Sequence, residues 1–159
     1  MKLVFHIEIL AHVKEYAMKH KILLVDDEEI MLKYLSRFLI KRGFDISTAM
    51  NGSEALEKIK KQDFITVLLD VLMPGMDGIE TLREIKKIKP MTEIIMLTGH
   101  ASVQVAIKGM KLGAFDYLMK PFDQDELITK LRLACEKRLF NEKGIDAVDI
   151  PEIMSNNST

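Results

Sequence analysis

The chain has a single cysteine, Cys135, in 159 residues. One thiol allows neither an internal disulfide nor a Cys-x-x-Cys metal site, which suits a reducing cytoplasm. No low-complexity stretch of any length occurs. Neither sign of charge is in excess: 23 Lys and Arg face 24 Asp and Glu, for a net charge of −1. A global basic field for nucleic acid is therefore missing. No apolar run is long enough to enter a membrane. The candidate nearest the amino terminus is broken by His6, Glu8, His12, Lys14 and Glu15. It also lacks the uninterrupted apolar region and small-residue cleavage site of a signal peptide. What is present suits one domain with a substantial core: 48% hydrophobic residues, and 30% charged residues of mixed sign. The 11 methionines are read as flexible core filler.

The chain is organised around Phe64-Ile65-Thr66-Val67-Leu68-Leu69-Asp70-Val71-Leu72-Met73-Pro74-Gly75-Met76-Asp77-Gly78. An apolar, β-branched run ends in a carboxylate, and Pro and Gly then break the chain. A buried parallel strand reads this way. Its last residue, Asp70, would lie at the carboxyl edge of the sheet, where open α/β sheets bind ligands. The same pattern recurs. Lys21–Val25 ends in Asp26-Asp27-Glu28-Glu29, and its helix carries Met31, Leu35, Phe38 and Leu39 inward, with Gly43 beyond its end. Phe44–Ala49 alternates like a strand buried on one side. Asn51 caps a helix with Ala55, Leu56 and Ile59 inward, and Asp77 one with Ile79, Leu82 and Ile85 inward. Glu93–Thr98 is the fourth strand. Ser102 opens a helix with Val103, Ile107 and Met110 expected inward, stopped by Gly113. Phe115–Lys120 is the fifth strand, ahead of Pro121. Asp123 caps a last helix with Leu127, Leu131, Ala134 and Cys135 inward. Strand and helix alternate five times, which implies an α/β fold: a parallel sheet with helices on both faces and right-handed crossovers.

The strand ends form a constellation on one edge: Asp26 and Asp27, Asp70, Thr98 and Lys120. Each alone has an ordinary reading: helix-capping acids, a strand-end hydroxyl, a surface lysine, and for Tyr117 a core aromatic. Their shared position tells against those readings. Three clustered carboxylates need a cation, and hard oxygen ligands at an open edge suit Mg²⁺. Lys120 and the Thr98 hydroxyl suit phosphoryl oxygens. Beside a metal and a lysine, Asp70 can act as a nucleophile towards phosphorus.

These residues carry a resemblance. Ile22–Glu28, Leu68–Gly78, Met96-Leu97-Thr98-Gly99 and Tyr117–Phe122 occur in the order and spacing of the receiver domains of two-component response regulators. The resemblance spans about 19–140 and implies a doubly wound (βα)5 flavodoxin-like sandwich with strand order 2-1-3-4-5. It leaves 1–18 as an extension, expected as a helix with a loose Leu3, Ile7, Leu10 and Ala17 stripe, and 141–159 as an irregular tail. By resemblance Asp70 is the phosphoacceptor. Asp27, Asp70 and the Leu72 carbonyl hold Mg²⁺ directly, and Asp26 holds a metal-bound water. Lys120 contacts the phosphoryl group, Thr98 bonds it after transfer, and Tyr117 follows Thr98 as the second half of a switch. The Lys120–Pro121 bond is expected to be cis. The donor would be the phosphohistidine of a sensor histidine kinase. The surface of the fourth helix, fifth strand and fifth helix of the alternation would serve a downstream effector or a homodimer. This is a signalling switch more than an enzyme. An Asp-nucleophile hydrolase of the haloacid-dehalogenase type would carry an acid at position 72, where this chain has Leu. A flavin carrier would need a Ser-, Thr- and Gly-rich loop after the first strand, where this chain is acidic. Residues 141–159 are too few for a helix-turn-helix, so no direct contact with nucleic acid is expected.

Overall fold

The computed structural model describes residues 2–73, 77–99 and 103–144. A helix α1 (Lys2–Lys19) precedes five strand–helix units: β1 (Lys21–Val25), α2 (Glu29–Ile40), β2 (Asp45–Ala49), α3 (Gly52–Lys61), β3 (Thr66–Asp70), α4 (Gly78–Ile88), β4 (Glu93–Thr98), α5 (Val103–Lys111), β5 (Asp116–Met119) and α6 (Gln124–Lys143). The strands form one parallel sheet in the order β2-β1-β3-β4-β5. Because α1 counts first, the fourth and fifth helices of the alternation are α5 and α6.

Side chains alternate across a strand, so each apolar run feeds two cores. Ile22, Leu24, Leu68, Ile95, Leu97 and Leu118 face the layer of α2 and α6. Leu23, Val25, Val67, Leu69, Ile94 and Met96 face the opposite layer of α3 and α4. β3 and β4 are buried along their whole length, so their runs read as unbroken apolar stretches. Helix starts follow the capping residues. Asn51 accepts a bond from the Glu54 amide at 2.8 Å, and the Glu54 carboxylate accepts one from the Met50 amide at 2.9 Å, a capping box that closes both ways. Asp77 caps α4 through the Glu80 amide at 2.7 Å, and Asp123 caps α6.

Several inward faces differ from the sequence reading. Leu32, with Leu35, Phe38 and Leu39, is buried on α2, and Met31 is half-buried beside them. On α5 the inward residues are Ala106 and Gly109, while Val103, Ile107 and Met110 are exposed. On α1, among the described residues, Ala17 of the expected stripe is buried together with Val13, Leu10 is half-buried, and Leu3 and Ile7 face solvent. Helix α6 continues through Asn141–Lys143 before Gly144 ends it. Pro74, Gly75, His100, Ser102 and the tail from Ile145 lie outside the described residues.

Candidate functional site

The in-register strands bring their carboxyl ends to one edge. Asp70 pairs across from Leu97, and Thr98 from Met119. Asp26 and Asp70 are both buried, at 2% and 4% exposure, and Asp27 is more open. Carboxylate oxygens of Asp26, Asp27 and Asp70 all lie within 4.8 Å of one another. The backbone aims the two buried acids. Asp26 Oδ1 accepts a bond from the Glu28 amide at 2.9 Å, and Asp70 Oδ1 one from the Leu72 amide at 3.2 Å. Their other oxygens face Lys120, whose Nζ lies 3.1 Å from Asp26 Oδ2 and 3.6 Å from Asp70 Oδ2. The Lys120–Pro121 peptide is cis, and the Lys120 amide donates to the Thr98 carbonyl at 2.7 Å.

Charge in this cluster is only partly balanced. The Asp70 carboxyl is raised to about 6: burial raises it most, Asp26 and Asp27 add to the rise, and Lys120 and the Leu72 amide offset part of it. Burial would lower the Lys120 ammonium, but Asp70 and Asp26 outweigh it and hold the group above its ordinary value. Three carboxylates against one lysine leave an anionic, all-oxygen donor set at an edge of the sheet. Those donors fit a hard divalent cation such as Mg²⁺.

Thr98 is buried, at 4% exposure, and its hydroxyl donates a long bond of 3.4 Å to the Leu118 carbonyl. Beside it lies a cavity of about 420 Å³ lined by Val103, Ile107, Met110, Tyr117 and Met119.

A family model described as the response regulator receiver domain matches residues 22–132. The chain belongs to this family. The receiver is 34% identical over 143 residues to an NtrX-like response regulator of Rickettsia bellii, covering 86% of this chain and 30% of the relative. It is 41% identical over 126 residues to the transcriptional regulatory protein ZraR of Escherichia coli K12, covering 79% of this chain and 28% of the relative. The chain thus spans under a third of the length of these relatives. Among solved structures, the receiver domain of NtrX from Brucella abortus superposes with a TM-score of 0.70 at 34% identity, over 72% of this chain and 98% of that one. A CheY-like receiver from Methanospirillum hungatei gives 0.74 at 30% identity, over 77% of this chain and 98% of that one.

Within the receiver the ordinary readings of the site residues lose ground. Asp26 does not cap α2, whose first flanking residue is Glu28. The Lys120 side chain is only 21% exposed and ion-paired, so it is no free surface lysine. Tyr117 is 38% exposed and no core aromatic. Lys130 of α6 donates to the Tyr117 carbonyl at 2.8 Å and pairs with Asp116 at 3.0 Å, tying β5 to α6. Leu72 is 70% exposed, with Cδ1 3.9 Å from where a Cβ on Gly99 would stand.

One positioning residue went unmarked in the sequence as such. A Cβ on Gly78 would stand 2.4 Å from Val71 Cα and 2.6 Å from the Asp70 carbonyl oxygen. Only glycine lets the start of α4 press against the backbone that carries Asp70, where the Gly78 amide also donates to the Val71 carbonyl at 3.1 Å. The signal was its place one residue after the Asp77 cap, at the end of the Leu68–Gly78 motif, where it was given no role of its own.

Proposed function

We propose that this receiver accepts a phosphoryl group on Asp70 from the phosphohistidine of a sensor histidine kinase in the cytoplasm. The resulting acyl phosphate then alters the α5–β5–α6 surface for a downstream effector or a second copy of the chain. The observation that carries this reading is Lys120 Nζ set between the inner oxygens of Asp26 and Asp70, at 3.1 and 3.6 Å. A lysine so placed can follow charge from the carboxylate to an incoming phosphoryl oxygen. An Asp70 oxygen attacks phosphorus, and the P–N bond breaks with its electron pair going to the imidazole nitrogen. An acyl phosphate remains on Asp70. Asp27, Asp70 and the Leu72 carbonyl would hold Mg²⁺ directly, and Asp26 would hold it through a water. Bound there, the ion supplies neutralisation of the charge on the phosphoryl oxygens.

Thr98 exchanges its long bond to the Leu118 carbonyl for a phosphoryl oxygen, and the Tyr117 ring fills the space it leaves. This gives the phosphorylated state a contact that the free state lacks, as a population shift requires. Hydrolysis of the acyl phosphate by the receiver's own residues resets the switch. No DNA contact and no membrane insertion is proposed for this chain.

Incubation with a small acyl phosphate donor and Mg²⁺ should add one phosphate, labile to base and hydroxylamine. Asp70→Asn should abolish the label and Lys120→Ala should slow it. Thr98→Ala should still be labelled but lose any phosphorylation-dependent association. Labelling of Asp70→Asn at the wild-type rate would falsify the assignment of the acceptor, and normal association by Thr98→Ala the assignment of the switch.

A further inference from the structure

A second groove lies away from the phosphoacceptor edge, where α1 crosses between the end of α2, the start of β2 and α6. It is a cavity of about 310 Å³, with Val13 and Ala17 of α1, Phe44 before β2 and Ile128 of α6 among its apolar lining. Three cations, Lys14, Arg42 and Arg132, line it as well. Some lysines elsewhere on the surface are matched by a carboxylate one turn away, as in Lys19–Glu15, Lys33–Glu29 and Lys58–Glu54. Among the described residues none of the three groove cations has such a partner. Among the described residues the Arg42 guanidinium meets the Phe38 carbonyl, at 3.2 Å, and the Phe38 ring, at 3.7 Å, and no carboxylate. The groove is therefore apolar at its base and positively charged without compensation.

The complementary chemistry sits in the same chain. Helix α6 ends at Lys143, and Gly144 takes the left-handed conformation at φ 66 with its amide bonded back to the Asn141 and Phe140 carbonyls. That geometry turns the chain off the helix axis. The sequence continues Ile145-Asp146-Ala147-Val148-Asp149-Ile150-Pro151-Glu152-Ile153-Met154. This stretch has no Lys or Arg. Its acids recur at every third position, with apolar residues between. Residues three apart share a face of an extended, polyproline-like strand, a conformation Pro151 favours. Such a strand offers three acids to one side and apolar residues to the others. The reach is short. Ile128 lies about 24 Å along α6 from Gly144, a distance that about eight extended residues cover.

We propose that residues 145–154 dock into the α1–α6 groove. Asp146, Asp149 and Glu152 meet Lys14, Arg42 and Arg132, and the intervening apolar residues cover Val13, Ala17, Phe44 and Ile128. The docked segment straps the amino-terminal helix to the receiver. This proposal stands apart from the phosphoacceptor reading and is tested without phosphorylation.

The test uses the full chain with a nitroxide on Ser155→Cys in a Cys135→Ala background, so that the label has one attachment point. The amide signals of Lys14, Ile128 and Arg132 should lose intensity several-fold relative to the reduced label, while Glu84 on α4 should not. Asp146→Lys, Asp149→Lys and Glu152→Lys together should restore the intensities. Adding Lys14→Glu, Arg42→Glu and Arg132→Glu to that variant should bring the loss back. The milder Asp146→Asn, Asp149→Asn, Glu152→Gln variant should weaken it in the same direction. Unbroadened groove signals, or broadening indifferent to every charge change, would overturn the proposal. So would broadening that also appears when spin-labelled protein is mixed with unlabelled ¹⁵N protein, since the occupant would then be a second copy.

Discussion

At the scale of single residues, the site was legible wherever a side chain ends an apolar run. Asp26, Asp70, Thr98 and Lys120 were each marked by that position, and parallel register turned four separate chain positions into one cluster. Leu72 allows a rate prediction. Hydrolysis of an acyl phosphate on Asp70 needs a water held in line by a hydrogen-bonding side chain. Leu72 follows Asp70 at the site, is 70% exposed, and can shield but cannot hold a water. Leu72→Asn should speed loss of phosphate from the purified phosphoprotein roughly fivefold, equivalent to ~1 kcal/mol of barrier; an equal or slower rate removes Leu72 from the role. Gly78 was not legible as a positioning residue, because its constraint is a contact between the start of α4 and the Asp70–Val71 backbone, which no local pattern records. Backbone cannot swing aside as a side-chain tip can. Gly78→Ala should therefore cost about 1–3 kcal/mol, read from the midpoint of a urea titration, and should slow phosphorylation of whatever fraction remains folded.

At the scale of elements, strands were easier to place than helix faces. A strand buried on both sides needs only an apolar run, and β3 and β4 have one. A helix must choose a face, and α5 has two candidates. Its larger apolar residues, Val103, Ile107 and Met110, point outward, and Ala106 and Gly109 point inward. The reason lies on the neighbouring strand. A Cβ on Gly109 would stand 2.1 Å from Met96 Sδ, so α5 settles against the sheet on its smallest residues. The apolar side left over lines the cavity beside Thr98 and Tyr117. It follows that Ile107→Gln should change stability by less than ~0.5 kcal/mol, as at an ordinary surface position. The same substitution should weaken phosphorylation-dependent association. Chemical denaturation and analytical ultracentrifugation with and without phosphodonor separate the two effects. A loss of several kcal/mol would mean that the helix face is assigned wrongly.

At the scale of the whole molecule, the receiver motifs explain everything from β1 to α6 and leave α1 unexplained. The family match begins at residue 22, and among the described residues the amino-terminal segment contributes no side chain to the acid–lysine cluster. Its packing was only partly legible in the sequence: of the Leu3, Ile7, Leu10, Ala17 stripe, Ala17 is buried and Leu10 half-buried, while Leu3 and Ile7 in the helix's first half are exposed. The half that touches the receiver presents Val13, at 1% exposure, and Ala17, at 4%. These two join the core shared by α2 and α6, with Ile9 and Tyr16 packed beside them, and the Tyr16 ring lies 4.2 Å from that of His20 at the turn into β1. Stability and chemistry should therefore separate. Val13→Ala removes two buried carbons and should cost on the order of 2 kcal/mol, a fall in melting temperature of about 4–8 °C for a chain of this size. Deleting 2–17 should lower the melting temperature further by uncovering the α6 side of that core. Phosphorylation by a small donor, measured well below either melting temperature, should proceed at the wild-type rate in both variants, because no group that meets the phosphoryl lies on α1. A deletion variant that stays folded by circular dichroism yet phosphorylates many-fold more slowly would place α1 in the chemistry and overturn this division.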